Sequence, residues 1–358
     1  MAKVSFNNAQ RTFYPSLKKS VDQYFIQNGI KKTGNWKLYL KAAILIPLAI
    51  ALYTFLLFGT YTALAGILLS FVLGFTLVSI AFNVMHDACH GSFSSKKWVN
   101  DLMSYTMNAL GSNSFIWKVK HNVVHHTYTN VDGIDDDIAK NPALRMAPTQ
   151  RWVAAHRFQH VYMFVLYALS TILWLLMTDF IKYFNKKVVV TEMKMTTQDH
   201  IIFWVSKSLY IFFYIVVPII FVGWGAWLTA FLIIHVTMGL TLSIVFQLAH
   251  VVEKTGFESA GTEAKVLNTE WAVHELQTTA NFAPRNKVIS WFVGGLNYQV
   301  EHHLFPRISH VHYPAISAIV EAECRKFGIP YHYYPKMTEA IASHVRVMKR
   351  LGQNELAA

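Results

Sequence analysis

Apolar residues divide this chain into long hydrophobic runs, separated by polar stretches that are rich in histidine. The first two runs cover about residues 42–59 and 61–84, and Gly59-Thr60 breaks the pattern between them. A helix that crosses a bilayer needs about 20 predominantly apolar residues. The two runs therefore predict a helical hairpin. Two later runs, at about 201–222 and 225–246, predict a second hairpin with its turn at Gly223-Trp224.

A fifth run, at about 161–180, decides between four and five membrane spans. Basic residues dominate the stretch before the first run, and the positive-inside rule places that end in the cytoplasm. If the fifth run crossed the membrane, Lys182, Lys186, Lys187 and Lys194 would emerge outside. The later histidines would then face the opposite side from the earlier ones. We therefore predict a helix that lies in the interface or re-enters, and a fifth span is the alternative.

Composition supports a membrane protein built from helices. Hydrophobic residues make up 53% of the 358 residues and charged residues only 15%. The start of the chain is polar and basic, which argues against a cleaved signal peptide. Cys89 and Cys324 are too few for a disulfide framework and suit a reducing compartment. The predicted fold is an all-α integral membrane protein with four spans and a cytoplasmic helical domain.

We expect three parts along the chain. Residues 1–41 form a cytoplasmic N-terminal segment, residues 42–306 the membrane domain and residues 307–358 a cytoplasmic helical tail. Within the tail, Gly328 is expected to cap one helix, and a basic helix follows from about Met337 to Leu351. The formal net charge of +12 suits anionic headgroups or an acidic protein partner. We expect no nucleic-acid partner.

With four spans, every histidine cluster falls on one side of the membrane. "HDACH" follows the second span, "HNVVHH" lies in the next polar stretch, one histidine ends "FQLAH" after the fourth span, and "QVEHH" comes later. Histidines four residues apart share one face of a helix. Neutral imidazole is the commonest protein ligand for iron, copper, nickel and zinc. The candidate metal ligands are His86, His90, His121, His125, His126, His250, His302 and His303.

The number of histidines restricts the kind of metal site. A catalytic zinc uses three protein ligands and a structural zinc four, so eight imidazoles are too many for one ion and suit two. In an enzyme that uses O₂, two ions indicate iron. Asp87 and Glu301 each neighbour a candidate ligand and are expected to orient an imidazole, with a solvated carboxylate as the alternative.

The three motifs HxxxH, HxxxHH and QxxHH, in this order and separated by two hydrophobic hairpins, resemble those of the membrane fatty acid desaturases. "QVEHHLFP" is similar to the branch with the front-end and linoleoyl-CoA-desaturase-like enzymes, and the likeness extends over about residues 81–333. The resemblance implies a non-haem di-iron centre that uses O₂ and two electrons to insert a cis double bond into an acyl chain. The substrate would be an acyl-CoA or an acyl-lipid. The bacterial inner membrane is the expected location, with both termini and the site cytoplasmic.

The resemblance also bears on Gln299, on His250 and on the source of electrons. Gln299 stands where most of the superfamily begins the third motif with histidine, so it would be a weak iron ligand or a hydrogen-bonding neighbour. His250 matches the additional family ligand after the fourth span. No HPGG haem motif occurs, so we expect electrons from a separate ferredoxin, or from free cytochrome b5 with its reductase.

Two rival functions remain at this stage, and several residues are weaker candidates. An alkyl or sphingolipid hydroxylase would use the same histidines, whereas a metal transporter or haem carrier would hold its ligands near mid-membrane. His274 either lines the site or packs on an amphipathic helix. The stretch Asp135–Asp137 favours a solvated acidic loop, and a position that faces a polar headgroup or the site entrance is the alternative. Mid-span His235 favours a neutral core histidine. The position of the double bond, the chain length and the oligomeric state stay open.

Overall fold

Long apolar helices dominate the architecture. The computed structural model describes residues 4–7, 12–139, 142–261 and 263–356. Within these ranges, five helices are long and apolar enough to cross a membrane: α2 (Trp36–Phe58), α3 (Ala63–Cys89), α8 (Ala154–Asn185), α9 (Thr197–Val222) and α10 (Trp224–His250). The chain is thus a mostly helical protein suited to a membrane.

The remaining helices are shorter. They are α1 (Phe13–Gln27), α4 (Lys97–Ser104), α5 (Thr106–Ala109), α6 (Ser114–Lys118), α7 (Asp136–Ala139), α11 (Trp271–Thr278), α12 (Lys287–Phe292), α13 (Gln299–Leu304), α14 (Tyr313–Phe327) and α15 (Met337–Gly352).

Short strands pair in twos. The pairs are β1 (Val4–Phe6) with β6 (Lys265–Leu267), β2 (Val131–Asp132) with β5 (Glu258–Ser259), β3 (Lys187–Val188) with β4 (Thr191–Glu192), and β7 (Asn281–Phe282) with β8 (Tyr333–Tyr334). All pairs are parallel except β3 with β4. Three of the pairs therefore join segments that are far apart in the sequence.

The predicted hydrophobic runs fall largely within these helices, and most of the helices extend beyond the runs. Two of these extensions lie beside the histidine motifs. Helix α3 continues past its apolar residues to Cys89, and α10 continues to His250. A helix that has already formed gains one hydrogen bond for each added residue, so it can extend into polar sequence where tertiary contacts support it. Both extensions carry candidate metal ligands out of the apolar layer.

Small residues let the long helices approach closely. A Cβ atom added to Gly74 of α3 would lie 2.8 Å from the carbonyl oxygen of Ile234 in α10. One added to Gly239 of α10 would lie 2.5 Å from the carbonyl oxygen of Ala168 in α8. Contacts of this kind between backbones are typical of helix packing in membranes. Helix α10 is therefore packed between α3 and α8.

Helix α8 follows an unusual course along its two neighbours. Its first half runs beside α10, where Thr171 donates a hydrogen bond to the carbonyl oxygen of His235 at 3.0 Å. Its second half runs beside α9, where Asp179 lies 2.8 Å from Nζ of Lys207, and the Tyr183 ring stacks on Phe203 at 4.1 Å. A wide π-turn at 174–178 separates the halves, and such turns commonly kink a helix.

The tail folds back against the rest of the protein. Helix α14 ends at Gly328, whose φ of +66° caps it as predicted. Helix α15 contacts the end of α10 through His344, whose Nδ1 lies 2.7 Å from the carbonyl oxygen of Val251. Its Nε2 lies 2.9 Å from the hydroxyl of Tyr167 in α8. The tail therefore braces the two helices beside the histidine clusters.

Candidate metal centre

The first histidine pair lies at the end of α3. A π-turn at Ala81–Met85 widens this helix, and the backbone N–H of His86 bonds to the carbonyl oxygen of Ala81. An insertion of this kind rotates the following residues relative to a regular helix. The rings of His86 and His90 lie 4.7 Å apart between centroids, and both residues are buried.

The second histidine group also lies on a widened helix. A π-turn at Val119–His125 continues α6, and the N–H of His126 bonds to the carbonyl oxygen of His121 at 3.0 Å. The ring of Trp117 stacks on His121 with centroids 4.3 Å apart. We predicted a regular α-helical spacing here. The π-turn places residues five apart on one side, so His126 joins the group.

The third histidine group follows a tight glycine turn that packs against α3. Gly294 has a φ of +58°, and an added Cβ atom would lie only 2.3 Å from the carbonyl oxygen of Phe82. Glycine is therefore required both by conformation and by space. Helix α13 follows and carries His302 and His303, which are both fully buried. His250, the last residue of α10, approaches from another direction.

The structure brings all eight candidate ligands together, seven of them in two sets. Within each set, one nitrogen from every ring lies within 4.8 Å of the others. One set holds four histidines, and the other holds three: His86, His90, His121 and His302, and then His125, His250 and His303. His126 lies between the two sets and groups with His302 and His303. Residues of this type at these distances are able to hold two metal ions.

The ring nitrogens in this cluster have few other partners. Among the described residues, seven of the eight histidines have a buried ring nitrogen without a hydrogen bond: His86, His90, His125, His126, His250, His302 and His303. Burial lowers the pKa of His121, His126, His302 and His303 well below the usual range, and neighbouring rings lower it further. Unpaired buried polar atoms are costly. Neutral rings with free nitrogens fit metal ligands.

The opposite ring nitrogen is held in place in four of these histidines. Each Nδ1 has a polar partner: a carboxylate oxygen of Asp135 at 3.1 Å for His125, Glu275 at 2.7 Å for His303, the carbonyl oxygen of Thr278 at 3.2 Å for His250, and the hydroxyl of Tyr313 at 3.1 Å for His302. The hydroxyl of Thr129 also lies 3.2 Å from Nδ1 of His303. Metal-binding histidines usually donate their other N–H in this way, which fixes the ring orientation. Sequence analysis missed these partners.

The acidic stretch around Asp135 corrects one of our predictions. We expected a solvated loop, but Asp135 is fully buried. Besides His125, its carboxylate accepts the backbone N–H groups of Asn130 at 2.9 Å and Asp137 at 3.0 Å. These bonds compensate for the loss of water. Only the spacing to "HNVVHH" could have suggested a link, and that spacing is not specific.

Asp87 and Glu301 lie beside the centre but contact other groups. Asp87 accepts hydrogen bonds from the hydroxyl of Ser309 at 2.6 Å, and its carboxylate is 3.1 Å from Nδ1 of His310. Glu301 accepts from Asn281 at 2.9 Å and Tyr331 at 2.7 Å. Burial raises the pKa of Glu301 to about 7, although these donors lower it. Both carboxylates therefore connect segments around the centre.

Gln299 and His274 take different positions. Gln299 lines a cavity of about 400 Å³ together with His86, His121 and His302. The Nε2 of His274 pairs with the carbonyl oxygen of Thr129 at 2.8 Å, so this side chain serves packing. His235 is a buried core histidine as predicted, with Tyr210 and Thr171 as partners.

The cavity beside Gln299 is mostly apolar and elongated along α8. Its walls include Phe82, Trp117, Leu166, Leu173, Met238 and Phe246. Long apolar side chains therefore lie beside three members of the four-histidine set, His86, His121 and His302. Pockets of this composition bind apolar ligands.

Comparisons with known proteins agree with this geometry. A family model described as fatty acid desaturase matches residues 61–335. The chain belongs to the fatty acid desaturase family. It is similar to two sn-1 linoleoyl-lipid 6-desaturases. One, from Synechocystis sp., is 34% identical over 96% of both chains, and the other, from Arthrospira platensis, is 34% identical over 96% of this chain and 93% of its own.

A third desaturase relative comes from a moss. An acyl-lipid (8-3)-desaturase of Physcomitrium patens is 34% identical over 96% of this chain and 72% of its own. These matches confirm the resemblance seen in the histidine motifs, and they confirm that the protein is a fatty acid desaturase. The rival class of transporters and haem carriers is thereby set aside.

Proposed function

We propose that this desaturase inserts a cis double bond into a fatty acyl chain of a membrane lipid, with O₂ as co-substrate. The observation that carries the proposal is the junction of two buried histidine sets with an apolar cavity of about 400 Å³. The desaturases of Synechocystis and Arthrospira are named for a linoleoyl-lipid substrate. A lipid-linked chain is therefore favoured over an acyl-CoA.

The walls of the cavity support entry from the bilayer. Leu173, Met177 and Ile181 line the cavity, yet between 40% and 52% of each residue's surface is exposed. All three belong to α8, whose outer face is apolar. An acyl chain that is still attached to a bilayer lipid would enter between such side chains without crossing water. This lateral route would spare the cost of exposing the chain.

We assign the eight histidines as ligands of two iron ions. When bound, the two ions supply the reductive activation of O₂ and the removal of two hydrogens from adjacent methylenes. The protein orients the rings, since Asp135 and Glu275 hold His125 and His303 from behind. The apolar wall excludes water and positions one carbon pair beside the ligands. Gln299 lines the cavity as a weak ligand or a neighbouring hydrogen-bonding group.

We infer a four-span topology with α8 re-entrant. Thr171 of α8 contacts His235 of α10, so the two residues lie at the same depth. His235 is closer in sequence to the outer turn at Gly223 than Lys207 of α9 is. Asp179 lies at the level of Lys207, and Tyr183 lies 2.8 Å from the ring of His200 near the start of α9. The helix thus approaches the outer turn along α10 and departs from it along α9. Both of its ends then lie on one side.

The remaining assignments follow from this topology. Both termini and the metal centre would be cytoplasmic, and the bacterial inner membrane is the proposed location. Residues 1–41 and 307–358 would flank the membrane domain of residues 42–306. Electrons would come from a separate ferredoxin or from free cytochrome b5 with its reductase, and the basic net charge of +12 would favour an acidic carrier.

The test is a fatty-acid profile of cells that express the chain together with a ferredoxin and its reductase. We compare the intact chain with His303→Ala and with a control, His332→Ala, whose ring belongs to no ligand set. A new unsaturated acid should appear with the intact chain and the control only. The position of its double bond shows the regiochemistry. A hydroxy acid instead would indicate a sibling hydroxylase. Purified protein should contain two iron ions per chain.

A further inference from the structure

A second hollow of about 690 Å³ lies near the cytoplasmic start of α2. We call it the basic pocket, and its lining includes Trp36, Lys37, Lys41, Arg285, Lys287 and Trp291. In the described part of the chain, it shares no lining residue with the apolar cavity beside the metal centre. A molecule in the basic pocket would therefore not occupy the proposed substrate position.

The charge of the basic pocket has one sign. Lys37, Arg285 and Lys287 are exposed at its mouth, and none of the described residues that line it carries a carboxylate. Within the described ranges, none of the three makes an ion pair. Three unpaired cations around one hollow create a strong attraction for an anion, and arginine and lysine are the usual ligands of phosphate.

A fourth cation lies at the base of the pocket. Lys41 is buried, and its Nζ is held by Oδ1 of Asn83 at 2.8 Å, the carbonyl oxygen of Trp291 at 3.2 Å and Nε2 of His310 at 3.1 Å. The nearby carboxylate of Asp87 lies on the far side of His310. These three contacts hold Lys41 in place at the base of the pocket.

The pocket lies at the expected depth of the membrane interface. Trp36 begins α2, and tryptophan and lysine are enriched where helices leave the hydrocarbon layer. Helix α12 packs against α3, since the rings of Phe292 and Phe75 lie 5.2 Å apart. Val288 of α12 is 66% exposed beside basic neighbours. An exposed apolar residue in this position suits contact with lipid.

An apolar stripe leads from the pocket along α2. Leu40, Ile44 and Leu48 are spaced four residues apart, so they share one face of the helix. Their exposed fractions are 50%, 45% and 40%. Leu40 also lines the pocket itself. A charged mouth that continues into a lipid-facing stripe matches a molecule with an anionic head and apolar tails.

We propose that the basic pocket binds the phosphate headgroup of an anionic glycerophospholipid, with its acyl chains against Leu40, Ile44 and Leu48. The cations bind the phosphate, and the two indole rings border the headgroup region. A free phosphate ion would meet the same cations but would gain nothing from the stripe. An acidic protein would meet the exposed cations but not the apolar face.

Lipid retention by the full-length protein in detergent tests this site. We add dioleoyl-phosphatidylglycerol or dioleoyl-phosphatidylcholine in dodecyl maltoside and count bound lipids by native mass spectrometry. The test variant is Lys37→Glu/Arg285→Glu/Lys287→Glu. The control is Lys19→Glu/Lys336→Glu/Lys349→Glu, which removes the same charge from exposed lysines elsewhere. Gel filtration and iron content show that each variant is folded.

The intact chain and the control should retain phosphatidylglycerol in preference to phosphatidylcholine. The test variant should bind the anionic lipid at least about tenfold more weakly, because each basic residue contributes strongly to such binding. Equal retention by the two triple variants overturns the proposal. Displacement of the lipid by millimolar inorganic phosphate overturns the lipid assignment. The assignment also fails if the test variant retains the lipid and loses only its response to the electron carrier.

Discussion

The carboxylate of Glu275 lies 2.7 Å from Nδ1 of His303, and both side chains are fully buried. The hydroxyl of Thr129 donates to the same carboxylate at 2.9 Å. Nε2 of His303 has no hydrogen-bond partner among the described residues. With a metal ion on Nε2, Nδ1 would carry the proton and donate a hydrogen bond to Glu275. The pair thus fixes one ring of the metal centre.

Replacing Glu275 with glutamine should therefore weaken metal binding without unfolding the protein. The amide keeps an acceptor for the His303 N–H but loses the negative charge that increases ligand basicity. Such changes behind a ligand typically cost about 10- to 100-fold in metal affinity or activity. Iron content after dialysis against a chelator, together with desaturation rate, measures the effect.

Glu301→Gln is the matched control for this prediction. Glu301 is also fully buried, but its carboxylate contacts Asn281 and Tyr331 and no ligand ring. We expect the control to keep its iron through the same dialysis. If both variants lose iron equally, the contact between Glu275 and His303 has no special role in holding the metal.

Much of the centre could be predicted from the sequence, since histidine spacing is a local property. The membrane helices follow in the same way from apolar runs. The partners behind the ligands could not be predicted, because Asp135 and Glu275 reach His125 and His303 through tertiary contacts. The π-turns could not be predicted either. They depend on packing around the helix rather than on residue preference.

Gln299 provides a second prediction about the centre. We propose that the eight histidines hold both ions without it, so Gln299→Ala should retain two iron ions per chain. Its side chain lines the apolar cavity beside His86 and His302, so the change should alter rate or product position instead. Metal analysis and product analysis of the same preparation separate the two effects. Loss of one iron would show that Gln299 is a ligand.

A third prediction concerns the buried ion pair between Lys207 of α9 and Asp179 of α8. The carboxylate also accepts from the Trp174 indole at 2.8 Å, and Lys207 donates to the carbonyl oxygen of Gly111 at 2.7 Å. Lys207→Leu leaves the aspartate charge without its cation, which costs about 3–5 kcal/mol for a buried pair. The apparent Tm of the detergent-solubilised protein should fall accordingly.

Two further variants test whether the cost comes from the unpaired charge. Asp179→Asn/Lys207→Leu keeps an acceptor for Trp174 but removes both charges, so most of the lost stability should return. Lys265→Leu removes a cation from a half-exposed pair with Glu258 and should cost less than about 1 kcal/mol. If the double variant were as unstable as Lys207→Leu, the lost stability would come from lost packing and not from the unpaired charge.

The last prediction tests the course of α8 by cysteine labelling. We place single cysteines at Thr60 in the α2–α3 turn, at Lys194 between α8 and α9, and at Lys19 in α1, all of which are exposed. The native Cys89 and Cys324 are buried and should not react. In intact spheroplasts, a membrane-impermeant maleimide should label only Thr60→Cys. Lys19→Cys and Lys194→Cys should react after permeabilisation, because a re-entrant α8 returns the chain to the side of α1. If Lys194→Cys reacted in intact spheroplasts, α8 would cross the membrane, and the contacts of Thr171 and Tyr183 would then need another explanation.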